Sequence, residues 1–113
     1  MLDLDSLTYN YGGDPELVAE LAQVFLQEYP GYLAALDEAM LAGNGKDVRS
    51  VAHRVRGALG VFGAQSAMEA ATRLENLALG NQLIVASDAA GALKTELSLL
   101  ERDIRDLLVG YAS

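Results

Sequence analysis

Cysteine and tryptophan are absent from this 113-residue chain, histidine occurs once and proline twice. Without cysteine there is no disulfide, no thiol nucleophile and no thiolate metal site. A lone histidine also excludes a multi-histidine metal centre. Cations are scarce: 8 Lys and Arg face 16 Asp and Glu, for a formal net charge of -8. Such a surface argues against nucleic acid as a partner, because phosphate contacts need clustered Lys and Arg. No apolar run approaches the roughly 18 residues that suggest a membrane span. The start, Met1-Leu2-Asp3-Leu4-Asp5, lacks the basic and apolar regions of a signal peptide. A cytoplasmic protein with no membrane partner is expected.

What is present is apolar and helical in pattern. Apolar residues make up 51% of the chain, enough to bury a core in one domain spanning residues 1–113. No segment alternates with the period of a strand; Gln82-Leu83-Ile84-Val85 is too short and isolated to seed a sheet. Leu2 to Tyr9 can form a short first helix, broken at Tyr11-Gly12-Gly13. Asp14-Pro15 supplies a cap and a proline at the first helical position. The second helix then carries Leu17, Leu21, Val24, Phe25, Leu33, Leu36 and Met40. Pro30 sits inside it, so it reads either as one kinked helix or as two helices meeting there. Gly43-Asn44-Gly45 ends it.

A third helix is expected from about Lys46 to Phe62, with Gly63 permitting the turn. A fourth runs from about Gln65 to Leu79, with Ala71, Leu74 and Ala78 on one face, and Gly80-Asn81 breaks it. A fifth runs from about Val85 to Val109, with Leu93, Leu97, Leu100, Ile104, Leu107 and Leu108 at helical spacing. Amphipathic helices joined by short loops point to an all-α, antiparallel up-and-down four-helix bundle with a short additional N-terminal helix.

The third helix is unusual. On a wheel of about 100° per residue, Val48, Val51, Val55, Ala58, Leu59 and Phe62 lie at least about 120° from His53 and form the expected buried stripe. His53 therefore points outward. Lys46, Arg49, Arg56, Gly57 and Gly60 lie within about 60° of it. Each helical glycine costs about 1 kcal/mol relative to alanine. Helical side chains cover the turn before their own position, so Gly57 leaves the imidazole uncovered and Gly60 clears the next turn. Four of the eight cations (Lys46, Arg49, Arg54, Arg56) fall within eleven positions of this otherwise acidic chain. That local positive field suits a dianionic phosphoryl group and an acidic partner. Free imidazole titrates near pH 6.5, so its neutral, nucleophilic form is abundant near pH 7.

Ala52-His53-Arg54-Val55-Arg56-Gly57, continuing through Gly60 and Gly63, resembles the histidine-containing phosphotransfer (HPt) domain. Its motif reads roughly A-H-x-[LIV]-[KR]-G with a further glycine downstream. Phe25, Pro30, Leu33 and Leu36 resemble the family pattern before the histidine helix, and Leu74-Glu75 a pair in the fourth helix. The likeness spans about residues 3 to 108. It implies that His53 Nε2 accepts a phosphoryl group from a receiver-domain aspartate and passes it to another receiver. The implied partners are response-regulator receiver domains and a hybrid sensor histidine kinase. No cofactor is implied on this chain; Mg2+ would belong to the receiver. The cation after the histidine is often lysine in the family; here Arg56 takes the role of stabilising phosphoryl charge, with a more rigid geometry. Gly45-Lys46-Asp47 matches irregularly the acidic residue usual before the helix. Lys46, Arg49 and Gly60 are read as partner-docking positions. Folding the fourth helix back about Gly63 brings residues near 74 level with His53, so Glu75, then Thr72, are the candidates to orient the imidazole.

Other classes lack their parts. There is no P-loop, no glycine-rich nucleotide motif and no nucleophile–histidine–acid order, and no kinase domain fits in this length, so a phosphocarrier and not an enzyme is expected. One alternative is a helical module that docks on a receiver without carrying phosphate. A sensor-kinase dimerisation domain would need histidine helices paired across a dimer, whereas this chain supplies enough helices to close a bundle alone, and a monomer is expected.

Overall fold

The computed structural model describes residues 4–80 and 82–112. Among them, five helices follow in order: α1 (Leu4–Asn10), α2 (Pro15–Ala42), α3 (Gly45–Gly60), α4 (Gln65–Leu79) and α5 (Leu83–Ala112). Leu2 and Asn81, assigned from sequence to the first helix and the last break, lie outside the described residues. No strand forms among the described residues. No described helix is long and apolar enough to cross a membrane.

The turns fall where local chemistry puts them. The Asp14 side chain accepts from the Leu17 N–H at 3.1 Å, capping α2, and Pro15 follows at the first turn. Gly43 takes the left-handed conformation (φ 67°) that ends α2, at little cost because it has no Cβ. The next residue, Asn44, caps α3 by accepting from the Asp47 N–H at 3.2 Å. Gly63 (φ 61°) turns the chain from α3 into α4. Such short turns force antiparallel neighbours. α2 packs on α3, α3 on α4, α4 on α5, and α5 back on α2, with α1 against α2. The ring closes an elongated four-helix bundle, 45 × 20 × 18 Å.

α2 is a single helix running through Pro30, which decides between the two readings of that residue. Proline removes one backbone donor and strains the preceding turn. Here its side chain lies on the exposed face, and packing before and after it holds the helix. Phe25 stacks on Tyr29 (5.9 Å between centroids) and meets Phe62 edge-on (5.7 Å), while the Tyr29 hydroxyl reaches Ser98 of α5 at 3.1 Å. Two positions given to the α2 apolar face lie outside it: Leu17 and Val24 are exposed, and Val18, Ala19 and Ala22 are buried in their place. The apolar residues of the first turns leave the choice of face ambiguous, and only contact with the neighbouring helices resolves it.

The α3 stripe is likewise rotated from expectation. Val48, Val55 and Leu59 are fully buried and Phe62, just past the helix end, is nearly so. Val51 and Ala58 are only half-buried, and Ala52, beside His53 in sequence, is completely buried. The cause is unequal covering. Both α3 and α4 bury small residues, Ala52 on the first and Ala67, Ala71 and Ala78 on the second, and small side chains let helices approach closely. The α2 side of α3 is more open, holding a groove of about 410 Å³ between Val51, Arg54 and α2.

Leu97 is fully buried whereas Leu41 is 91% exposed. Leu97→Ala is expected to cost about 2–5 kcal/mol and Leu41→Ala less than about 0.5 kcal/mol, measured by urea unfolding. Asn44→Ala, which removes the α3 cap, is expected to cost about 1 kcal/mol.

Candidate functional site

His53 stands on the outward face of α3, its side chain 67% exposed. One α4 residue reaches it. Glu75 is the one buried charged residue among those described, 8% exposed. Its Oε1 lies 2.9 Å from His53 Nδ1. The close α3–α4 packing brings a carboxylate under the rim of α3 at the level of the imidazole. Thr72, the second candidate from sequence, does not reach the ring. Its hydroxyl donates to the Met68 carbonyl at 3.0 Å, one turn back along α4, as threonine commonly does inside a helix.

Arg56 completes a triad. Its Nη1 lies 3.1 Å from Glu75 Oε2 and its Nη2 lies 3.1 Å from His53 Nδ1. These contacts constrain the proton on the ring. A carboxylate only accepts and a guanidinium only donates, so Nδ1 cannot serve both. The acceptor with most to lose decides. Glu75 is buried, and its Oε2 has no hydrogen-bond partner among the described residues although Arg56 Nη1 lies 3.1 Å away. A buried carboxylate without donors is heavily destabilised, whereas Arg56 is half-exposed and can be met by water. Nδ1 therefore carries the hydrogen and donates to Glu75, and the Arg56 approach to Nδ1 follows from its pairing with Oε2. In this tautomer the lone pair is on Nε2, at the exposed end of the ring.

The glycines answer to no packing need. Gly57 and Gly60 both lie within α3 with no positive φ. A methyl group added at Gly57 would meet no atom within 4 Å, and one at Gly60 only the end of the Met68 side chain, at 3.9 Å. The fold would accept larger residues at both positions, so the open surface beside His53 is not a by-product of close helix contact.

Charge is divided unevenly. α3 has four cations against Asp47 alone, so a chain of net -8 separates into +3 on α3 and -11 elsewhere. The four do not act as one patch. Lys46 and Arg49 line a shallow pocket of about 290 Å³ with Ser50, His53 and Glu75. Arg56 faces a separate groove of about 650 Å³ along α4, which includes Thr72 and Arg73. Arg54 turns toward α2, its guanidinium 6.0 Å from the centre of the Tyr32 ring. Burial and the Glu28 carboxylate push the Tyr32 phenol above its ordinary value, with Arg54 pulling partly back. Ser50 was not among the sequence candidates, yet on the same wheel it sits about 60° from His53. Among the described residues, no group of three or more His, Cys, Asp or Glu side chains gathers that could hold a metal ion.

Comparison with curated proteins and with solved structures returns no match in either case. Comparison with family models returns the Hpt domain over residues 20–103. That span holds most of α2, all of α3 and α4, and α5 as far as its last turns, so it takes in His53 and Glu75 together, and the chain belongs to the Hpt domain family.

Proposed function

We propose that this chain acts as Hpt domains do, as a phosphocarrier of two-component signalling that interacts with receiver domains and is not itself a kinase. We propose that His53 is the phosphoryl carrier of this chain, accepting from a receiver-domain aspartate and donating to a second receiver. The observation that supports this most directly is the 2.9 Å contact between Nδ1 and Glu75. It favours the ring hydrogen on Nδ1, which would leave the Nε2 lone pair for attack.

In the transfer step, the Nε2 lone pair attacks phosphorus in line. The bond from phosphorus to the aspartyl oxygen breaks, and its electron pair leaves with the aspartate carboxylate. The ring keeps its Nδ1 hydrogen, so it becomes a phosphoimidazolium whose positive charge faces Glu75. The reverse step returns the lone pair to Nε2. No proton need enter or leave the site in either direction. Such transfers depend mostly on positioning and charge stabilisation. The receiver would contribute its aspartate and the Mg2+ ion that offsets charge at the acyl phosphate; this chain contributes the nucleophile and an open approach. An acidic receiver site suits the +3 of α3 and would be repelled by the rest of the chain. A hybrid sensor histidine kinase is the proposed upstream source. Because α2 to α5 close the bundle within one chain, the carrier is proposed to act as a monomer; sedimentation showing an obligate dimer would contradict that.

Incubation with a phosphorylated cognate receiver is expected to label this chain with acid-labile, base-stable phosphate. His53→Gln is expected to abolish the label, and persistent labelling of that variant would refute His53 as the carrier. Gly57→Leu is expected to raise stability by up to about 1 kcal/mol, because it removes a helical glycine into open space. The same change should slow transfer by about tenfold or more by covering the imidazole; more stable protein with unchanged rates would remove the access argument. Glu75→Leu is expected to move the ring hydrogen to Nε2, seen in imidazole 15N shifts, and to slow transfer by about tenfold or more. Glu75→Gln, which keeps an acceptor oxygen, should retain the Nδ1–H tautomer.

A further inference from the structure

The proposed carrier role leaves open which side chains receive the phosphoryl group once it is on Nε2. By family resemblance that cation is Arg56, but its geometry places it elsewhere. Its guanidinium lies 3.1 Å from Glu75 Oε2 and 3.1 Å from Nδ1, the ring atom that does not react. It lines the α4 groove and not the pocket that contains His53.

The His53 pocket is built on the other side of the ring. Besides His53 and Glu75 it is lined by Lys46, Arg49 and Ser50, the residues seven, four and three before the histidine. A helical side chain leans toward the N-terminus and covers the preceding turn. That lean directs the imidazole toward the turn of Arg49 and Ser50, which line the pocket with it. Both cations are exposed, and among the described residues neither Lys46 nor Arg49 makes an ion pair or hydrogen bond. They are available to an incoming anion, whereas Arg56 would have to abandon a buried carboxylate to reach one. The Ser50 hydroxyl adds a neutral donor on the same turn.

We propose that Arg49 and Lys46, with Ser50, form the phosphoryl cradle of phosphorylated His53, and that Arg56 is a positioning residue acting through Glu75. This rests on the carrier reading of His53. The cradle forms one or two charge-assisted hydrogen bonds to the phosphoryl oxygens, and Arg56 holds the carboxylate that keeps the ring hydrogen on Nδ1.

The test uses the whole chain and no protein partner, so that docking does not enter. Potassium phosphoramidate is the donor: its P–N bond breaks, ammonia leaves, and the Nε2–P bond forms. The 31P resonance of phosphohistidine is then titrated with pH. A cation beside the phosphoryl group favours its dianion, so Arg49→Gln should raise the titration midpoint by about half a pH unit. Lys46→Gln combined with Arg49→Gln should raise it further. Arg49→Lys should restore most of the wild-type value, and salt should narrow the differences. Arg56→Gln should move the midpoint less than Arg49→Gln while altering the imidazole 15N shifts. Arg105→Gln on α5 is the control for charge at a distance. A midpoint unmoved in the double variant, or moved most by Arg56→Gln, overturns the cradle and leaves the carrier role standing. Absence of any phosphohistidine signal from the wild-type chain overturns both.

Discussion

Burying the Glu75 carboxylate is the constraint from which the rest of the site follows. A carboxylate taken out of water is destabilising unless donors meet it. In this bundle the compensation comes from one neighbouring helix: a hydrogen bond from the His53 Nδ1–H to Oε1 and the charge of the Arg56 guanidinium beside Oε2, which itself has no hydrogen-bond partner among the described residues. The requirement runs both ways. α3 and α4 must hold their relative height for the carboxylate to be satisfied, and the same contact selects the tautomer that exposes a lone pair at Nε2. Stability of the α3–α4 pair and readiness of the histidine thus rest on one interaction. Buried alanines on both helices favour a close approach that a glutamate side chain can span.

The outer face of α3 is arranged at some cost to the helix itself. Gly57 weakens its interior, and Gly60 stands at its last position, with no steric need at either. Four cations repel one another along sixteen residues with one acid among them. Both features are unfavourable for an isolated helix, and both would suit the proposed docking of an acidic partner close to the ring of His53. The buried stripe of Val48, Ala52, Val55 and Leu59 supplies the compensating stability. Within that face the cations divide by direction: Arg56 pairs with Glu75, while Lys46 and Arg49 line the pocket that holds His53.

Much of this was legible from residue order, because helical periodicity and turn chemistry are local. The cap at Asp14, the turns at Gly43 and Gly63, the outward direction of His53 and the candidacy of Glu75 follow from spacing alone. The misses share a different cause. Leu17 and Val24 were given to the core and Ala52 was left out of it, because a wheel ranks hydrophobicity without knowing which neighbour sits closer. Pro30 left two readings open, since the local penalty of proline is outweighed only by aromatic packing against Phe62 and the Ser98 contact, both distant in sequence. Thr72 and Glu75 were hard to separate because both lie on the turn of α4 level with His53, and only the backbone bond that Thr72 makes removes it.

The sequence by itself determined an all-helical chain, the places of its main turns and the placing of one exposed histidine among cations and glycines. These depend on periodicity, capping and side-chain type, which act over one or two helical turns. Tertiary structure decided which nitrogen of that histidine faces a carboxylate, which arginine pairs with it, and which cations of α3 have no ion pair among the described residues. Those outcomes depend on a carboxylate 22 residues away, and its demand for donors arises only when packing has taken it out of water.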